Sequence, residues 1–309
     1  GGSTITSTIN TTSISSRTAT DGGHATAGDR TEIVCGVDEA GAGPVLGPLV
    51  VCAVVLSRAT ETMLHAEGVR DSKDVPPSRR GILRDRVMAT CESYHVLRVE
   101  AHDIDARRAA GETMNEIKTA SVTALLREAA AAAAVAQSPL GTVYVDAFDG
   151  IATKHDQVFM AGMEAGLEEA RVTVGIGDGG CAERDFTSSS SSPSASASPP
   201  PSSSSGGKGG RGGDMGTADT ACIPAAVAMP TLKSEHRADA KYCVVGAASM
   251  IAKTMRDQAM RDIEAEIDDG MELGSGYPSD PKTIAYLESC GGLFPKFVRQ
   301  SWKTVDRFR

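Results

Sequence analysis

The stretch VDEAGAGPVLGP, residues 37–48, sets two adjacent acids where an apolar run meets a glycine-rich turn. The residues IVCGV at 33–37 form a continuous apolar run, which is typical of a strand buried on both faces. Carboxylates are costly at the end of a buried strand unless something pairs with them. We therefore expect Asp38 and Glu39 to take part in a polar site.

Patterns on either side of this turn predict the rest of the folded part. The apolar run PLVVCAVVL at 48–56 indicates a second strand, and the short turn before it favours a hairpin. Strands are also predicted at 94–99, 142–148 and 171–174, and helices at 76–91, 113–136, 156–170, 238–267, 281–289 and 295–308. Strands first, followed by alternation with helices, indicate an α/β or α+β domain with a mixed β-sheet.

Two segments lack the composition of a folded core. Residues 1–30 are rich in Ser, Thr and Gly, which predicts a disordered N-terminal tail; a transit peptide is the weaker alternative, because Arg17 is nearly alone as a base. Residues 175–230 contain a long Ser/Pro/Gly tract and predict a disordered insertion. The rest of 31–309 is long enough to form one domain with a sizeable core.

Charge and cysteine usage narrow the class of protein. The formal net charge of −9 argues against a generally basic nucleic-acid-binding surface, but it leaves room for a local basic groove. The cysteines are never in CxxC spacing, which disfavours both a zinc site and a disulfide framework and favours a reducing compartment. No uninterrupted apolar run is long enough to predict a membrane span.

Four carboxylates lie in or beside apolar segments. Asp38 and Glu39 end the first predicted strand, Asp146 ends the strand VYVDAF, and Asp239 lies near the start of an apolar helix. Taken singly, Asp146 could be a turn former and Asp239 a helix cap. Strand ends and helix starts can converge on one sheet edge, where oxygen ligands without Cys or His select Mg²⁺ or Mn²⁺. The spacing therefore predicts a metal-dependent phosphoryl-transfer site, provided that the strand bends or ends so that both adjacent acids face it.

The sequence resembles the ribonuclease HII family, most closely the archaeal enzymes and the catalytic subunit of the eukaryotic enzyme. The resemblance covers nearly all of 32–305 outside the insertion. It rests on six blocks in the family's order: VDEAGAGPVLGPLV (37–50), DSK (71–73), YVDAFD (144–149), SEHRADAKYCVVGAASMIAK (234–253), GSGYPSDPKT (274–283) and FPKFVRQSW (294–302).

The resemblance implies a ribonuclease H-like core with a C-terminal helical part, so that 31–309 would be a catalytic domain. It implies cleavage of the RNA strand of RNA–DNA hybrids and of single ribonucleotides embedded in DNA, leaving a 3′-hydroxyl and a 5′-phosphate. By motif, the catalytic and metal-binding acids would be Asp38, Glu39, Asp146 and Asp239. These are the four residues that the spacing argument selects, and they would hold two Mg²⁺ or Mn²⁺ ions.

The resemblance also implies substrate contacts. The backbone of Gly41, Ala42 and Gly43 would approach the ribose 2′-hydroxyl, which is the group that separates RNA from DNA. Tyr277 would pack against the sugar at the RNA–DNA junction, and Lys73 would contact a phosphate or the active site.

One position departs from the family, which normally has Arg where this chain has Ala42. A charge-assisted contact to the substrate backbone would be lost there, at about 1.5–3 kcal/mol. The alternative interpretation is therefore a hybrid-binding relative with weakened catalysis. A DNA-directed nuclease or transferase of the same fold class is a further alternative, which predicts cleavage of all-DNA duplexes.

The C-terminal stretch KFVRQSWKTVDRFR is locally basic in an acidic chain. If it is helical, Arg299, Lys303 and Arg307 share one face, which predicts contact with a DNA backbone; an ordinary solvated helix face is the alternative. The resemblance to eukaryotic enzymes also implies an intracellular protein, nuclear or organellar, that could work with two accessory subunits.

Overall fold

The computed structural model describes residues 8–13, 32–70, 75–173, 227–267 and 270–309. The strands are β1 (Thr8–Ser13), β2 (Ile33–Ala40), β3 (Leu49–Ser57), β4 (Ser93–Val99), β5 (Leu140–Asp146) and β6 (Thr231–Glu235). The helices are α1 (Arg58–Ala66), α2 (Pro77–Thr90), α3 (Ala101–Ala109), α4 (Met114–Val135), α5 (Asp156–Thr173), α6 (Ala238–Lys241), α7 (Cys243–Ile267) and α8 (Pro281–Ser289), and a 3₁₀ helix spans Val305–Phe308.

The strands form one mixed sheet in the order β1-β4-β3-β2-β5-β6. The pairs from β1 through β4 and β3 to β2 are antiparallel, whereas β2 with β5 and β5 with β6 are parallel. β2 pairs with β3 along its whole length, which forms a continuous hairpin. β3 has no exposed residue, which suits a strand at the centre of the sheet. The predicted mixed sheet flanked by helices is thus confirmed.

Helices cover both faces of the sheet. On one face, α4 packs on α5 and on the antiparallel strands, and on the other, α7 packs on β2 and β3. At Gly36, in β2, an added Cβ would lie 2.5 Å from the Val244 carbonyl carbon at the start of α7. This glycine lets the helix approach the strand that carries the acid pair. None of the described helices combines the length and the apolar character that a membrane span requires.

The C-terminal part forms a third cluster against the glycine-rich turn. Val45 and Leu46 of the turn are fully buried and pack with residues of α7, α8 and the last segment, including Met260, Leu287 and Val298. An antiparallel bridge joins Leu46 to Val298, and Arg299 N donates to the Val45 carbonyl oxygen at 2.8 Å. The end of the described chain therefore packs directly on the stretch at 37–48.

Three predicted elements were wrong. Residues 171–173 are the last turn of α5 rather than a strand, and residue 174 lies outside the described part. The predicted helix at 238–267 is divided, because Tyr242 is extended (φ −120, ψ 121) between α6 and α7. The predicted helix at 295–308 is a series of turns ending in the 3₁₀ helix, because its backbone bonds across to the glycine-rich turn.

The two segments predicted to be disordered fall mostly outside the described residues. Within 1–30, the backbone of Thr8–Ser13 forms the edge strand β1, and the rest of that segment lies outside the described part. For the insertion at 175–230, only residues 227–230 are described. Disorder in the remainder of both segments stays a prediction.

His95 of β4 predicts a pH dependence of stability. Its ring is fully buried, and burial lowers the pKa of His95 to about 4. Below pH 6.5 the unfolded chain takes up a proton on this residue that the folded protein does not, so stability falls as the pH drops from about 6.5 towards 4. At pH 4.5 the loss from His95 is on the order of 2–3 kcal/mol. Urea unfolding at pH 7 and pH 4.5 checks this, because His95→Gln should lose less stability on acidification than the parent. Equal losses would contradict it.

Candidate active site

Three aspartates from three different elements meet at one edge of the sheet. Asp38 in β2, Asp146 at the end of β5 and Asp239 in α6 each offer an oxygen, and these oxygens all lie within 4.8 Å of one another. Because β2 and β5 are parallel neighbours, their carboxyl ends share an edge. Ala238 N donates to Asp146 Oδ1 at 2.8 Å, which joins the end of β5 to the start of α6.

The backbone around α6 explains how Asp239 reaches this edge. Arg237 precedes the helix in the left-handed region (φ 58), a conformation that costs a non-glycine residue about 1–2 kcal/mol. The single turn of α6 then ends at the extended Tyr242, so that Asp239 lies on its own short helix, buried in its first turn. The interruption that divides the predicted long helix thus serves to place this acid.

The carboxylates are electrostatically crowded. Asp38 is almost completely buried, and burial raises the pKa of its carboxyl group well above the usual value; nearby Glu39 and Asp146 raise it further, against a hydrogen bond with Ser249 that lowers it. Buried like charges are stable only with a cation or a proton between them. The donor set is oxygen alone, so it fits a hard divalent cation such as Mg²⁺ or Mn²⁺.

Glu39 takes a different direction from Asp38. For both acids to face one site, the strand was expected to bend or end at the acid pair. It instead continues to Ala40 in regular register with β3. Glu39 Oε1 accepts a hydrogen bond from Lys118 Nζ of α4 at 3.2 Å. Among the described residues Glu39 is outside the group of three, and its role as a metal ligand stays a prediction.

Lys118 is a site residue that the sequence reasoning missed. Its side chain is only 8% exposed, and its Nζ lies 4.0 Å from the centroid of the Phe148 ring, which follows Asp146 closely in the chain. A lysine beside Ile117 in an apolar helix was the available signal, but periodicity alone does not show what such a lysine bonds. Lys118 holds the Glu39 carboxylate and contacts the loop after β5.

The glycine loop, residues 41–43, lies next to the acids. Gly41 has φ +85, and a Cβ there would lie 2.5 Å from the Pro48 carbonyl oxygen, so only glycine fits. A cavity of about 320 Å³ is lined by the loop and by Glu39, Ala40, Arg80, Lys253, Arg256, Asp257 and Tyr277. The structure thus brings Tyr277 to the loop, whereas Lys73 lies outside the described residues.

Tyr277 is 43% exposed and has a fixed neighbour in Arg256. The Arg256 guanidinium carbon lies 5.9 Å from the centroid of the Tyr277 ring, and its Nη2 donates to the Ser275 carbonyl oxygen. The sequence reasoning also missed Arg256, since nothing in its surroundings along α7 marks it. This arginine joins α7 to the turn that carries Tyr277.

Arg299 does not have its predicted role. Its side chain is fully buried, and its guanidinium donates to three carbonyl oxygens, those of Gly41 at 2.6 Å, Ala42 at 3.1 Å and Gly47 at 3.0 Å. The prediction that Arg299 contacts substrate is therefore wrong. It rested on an exposed helical face that does not form.

Arg299 instead fixes the orientation of the glycine loop. Trp302 adds a fourth bond, because its Nε1 donates to the Gly43 carbonyl oxygen at 3.2 Å. In a trans peptide the N–H points away from the carbonyl that precedes it. With the carbonyls of Gly41 and Ala42 directed at Arg299, the N–H groups of Ala42 and Gly43 point away from it.

Comparisons with known proteins place these features in a family. A family model described as ribonuclease HII matches residues 35–169 and 223–305. The ribonuclease HII of Thermococcus onnurineus is 30% identical over 277 residues, which cover 89% of this chain and 88% of that protein.

Solved structures agree with this match. The ribonuclease H2 from Pyrococcus horikoshii OT3 is similar with a TM-score of 0.60 and 27% identity, covering 89% of this chain and 96% of that one. The RNase HII solved in a PCNA:RNase HII complex from Archaeoglobus fulgidus is similar with a TM-score of 0.54 and 28% identity, covering 88% and 95%.

Replacing Arg299 tests its structural role. We expect Arg299→Met to lower the free energy of unfolding by about 3 kcal/mol or more, because three buried carbonyl oxygens lose their donors. Arg307→Met is the matched control, since Arg307 is exposed in the same segment and should lie within about 0.5 kcal/mol of the parent. Urea unfolding of both variants measures the difference. Equal stability of the two variants would refute the role assigned to Arg299.

Proposed function

Because this chain belongs to the ribonuclease HII family, we propose that it is a metal-dependent endonuclease that cleaves the RNA strand of RNA–DNA hybrids and the 5′ side of ribonucleotides embedded in DNA. Family membership itself makes it a ribonuclease H, a nuclease that hydrolyses phosphodiesters. The finer parts of the proposal are the metal dependence, the 3′-hydroxyl and 5′-phosphate products, and the removal of RNA primers and misincorporated ribonucleotides. The observation that carries it is the group of three aspartates beside the glycine loop, whose carbonyl groups bond Arg299 and whose N–H groups point away from it.

The aspartates supply the metal site. Asp38, Asp146 and Asp239 would hold Mg²⁺ or Mn²⁺, with Glu39 proposed as the fourth ligand. The chemistry gained from two such ions when bound is activation of the attacking water and stabilisation of the leaving 3′-oxygen. Asp38 must be deprotonated to act as a ligand, and its raised pKa makes that ionisation depend on the cation. Burial raises the pKa of the Glu39 carboxyl group, and Lys118, which opposes that rise, holds the carboxylate in place.

The glycine loop and Tyr277 would select RNA over DNA. The N–H groups of Ala42 and Gly43, directed away from Arg299, can donate to a ribose 2′-hydroxyl, which DNA lacks. Tyr277 offers a partly exposed ring beside the loop in the same cavity. Lys73 stays a predicted phosphate contact.

Ala42 supports a second candidate, a hybrid-binding relative with weakened catalysis. The side chain at this position packs partly against the core and carries no charge for the substrate backbone. On this alternative the metal site would be intact but substrate would be held poorly. Association with two accessory subunits and a nuclear or organellar location stay predictions that rest on the resemblance to eukaryotic enzymes.

The role of the aspartates predicts a loss of cleavage. With Mg²⁺ or Mn²⁺, we expect the chain to cut a DNA duplex on the 5′ side of one embedded ribonucleotide and to leave an all-DNA duplex intact. Asp38→Asn should lower kcat at least about 10³-fold with little change in binding, because it removes a ligand for charge that develops in the transition state. The control is Asp85→Asn, an exposed acid of α2 that should keep full activity. Binding without cleavage by the parent, with Asp38→Asn no worse, would favour the alternative; cleavage of all-DNA duplex would contradict the reading of the 2′-hydroxyl.

The missing arginine gives a separate prediction. Ala42→Arg should lower KM at least about tenfold, because one charge-assisted contact contributes about 1.5–3 kcal/mol, and it should leave the cleavage position unchanged. Mapping the cut site and measuring the rate on the embedded-ribonucleotide duplex checks both. An unchanged rate and position would show that this chain does not need a guanidinium at residue 42.

A further inference from the structure

Two guanidinium groups lie over the Trp302 ring that bonds the glycine loop. The Arg299 guanidinium carbon is 5.0 Å from the ring centroid, and that of Arg108, in the last turn of α3, is 5.4 Å away. Trp302 Nε1 donates to the Gly43 carbonyl oxygen. Arg108 is therefore one side chain away from the loop, and it does not line the cavity that holds Tyr277.

The two arginines differ in their hydrogen-bond partners. Arg299 is fully buried, and its guanidinium is bonded to three carbonyl oxygens. Arg108 is only half-buried, and its Nε is buried without a hydrogen-bond partner. In the part of the chain that the structure describes, no carboxylate pairs with Arg108.

The acids nearest to Arg108 along the chain already bond other residues. Asp105 accepts hydrogen bonds from Gln300 N at 2.7 Å and Ser301 N at 2.9 Å, which ties α3 to the segment carrying Trp302. Glu112 forms an ion pair with Arg107. Arg108 thus has no acidic partner among the described residues, at a position that Asp105 fixes relative to the glycine loop.

We propose that Arg108 binds a backbone phosphate of the nucleic-acid strand that lies across the glycine loop, supplying from α3 the cation that Ala42 does not offer. The inference rests on the proposed function and extends the same site. Arg108 acts on affinity rather than on chemistry, because it is separated from the aspartates by the loop and Trp302. The planar guanidinium, stacked on an indole and lacking a carboxylate, suits a phosphate in both geometry and charge.

The salt dependence of binding tests this directly. Each phosphate contact steepens the fall of log K with log salt by about 0.7–0.9. We expect Arg108→Ala to raise the Kd for a short RNA–DNA hybrid about tenfold, with kcat unchanged, and to make the salt slope shallower by about 0.7–0.9. Arg108→Lys should keep the slope. Binding is measured by fluorescence anisotropy in EDTA between 50 and 200 mM KCl, and kcat and KM by cleavage with Mg²⁺.

The control is Arg107→Ala, which removes the same charge from the adjacent residue but from an existing ion pair, and it should leave the slope unchanged. If Arg108→Ala lowers the melting temperature yet keeps the parent slope, Arg108 only packs on Trp302 and the inference is overturned. A parent protein that neither binds nor cleaves the hybrid would defeat the proposed function itself. A parent that cleaves normally, with parent-like slopes in Arg108→Ala, would defeat this inference alone.

Discussion

Repulsion among buried carboxylates is the constraint on which the rest of this structure depends. Three aspartate oxygens within 4.8 Å of one another would separate if their backbones could move. They are held by two parallel neighbouring strands and by a single-turn helix whose first N–H bonds Asp146. The close packing of α7 on Gly36 stiffens the strand that carries Asp38. The sheet edge therefore keeps the three carboxylates together through its own rigidity.

The parts of this site that could be predicted from sequence are those written in local patterns. The acids of VDEAG and VYVDAF end apolar runs, so their strands and their shared edge follow from period and topology. The direction of Glu39 could not be read in this way. Whether a strand continues past an acid depends on its partner strand and on Lys118, which is 79 residues away along the chain.

The C-terminal segment shows the limit of periodicity most clearly. Arg299, Lys303 and Arg307 are spaced for one helical face, but no α-helix forms there. The unsatisfied carbonyl oxygens of the glycine loop need donors, and the Arg299 side chain supplies them from within the core. The desolvation of the buried guanidinium is offset because all three of its nitrogens donate to carbonyl oxygens. Tertiary contacts of this kind override the helical preference of the segment, and nothing in the local sequence indicates them.

The bonds from Arg299 and Trp302 to the glycine loop also limit when the loop can become ordered during synthesis of the chain. They join residues separated by 257 to 259 positions in the chain. At translation rates of about 5–20 residues per second, the loop waits on the order of ten to fifty seconds for the side chains that shape it. Throughout that interval the growing chain already carries Asp38, but the donors that orient the glycine loop have not yet been synthesised. The loop beside Asp38 and Glu39 can therefore take its final shape only after the segment that carries Arg299 and Trp302 has been synthesised.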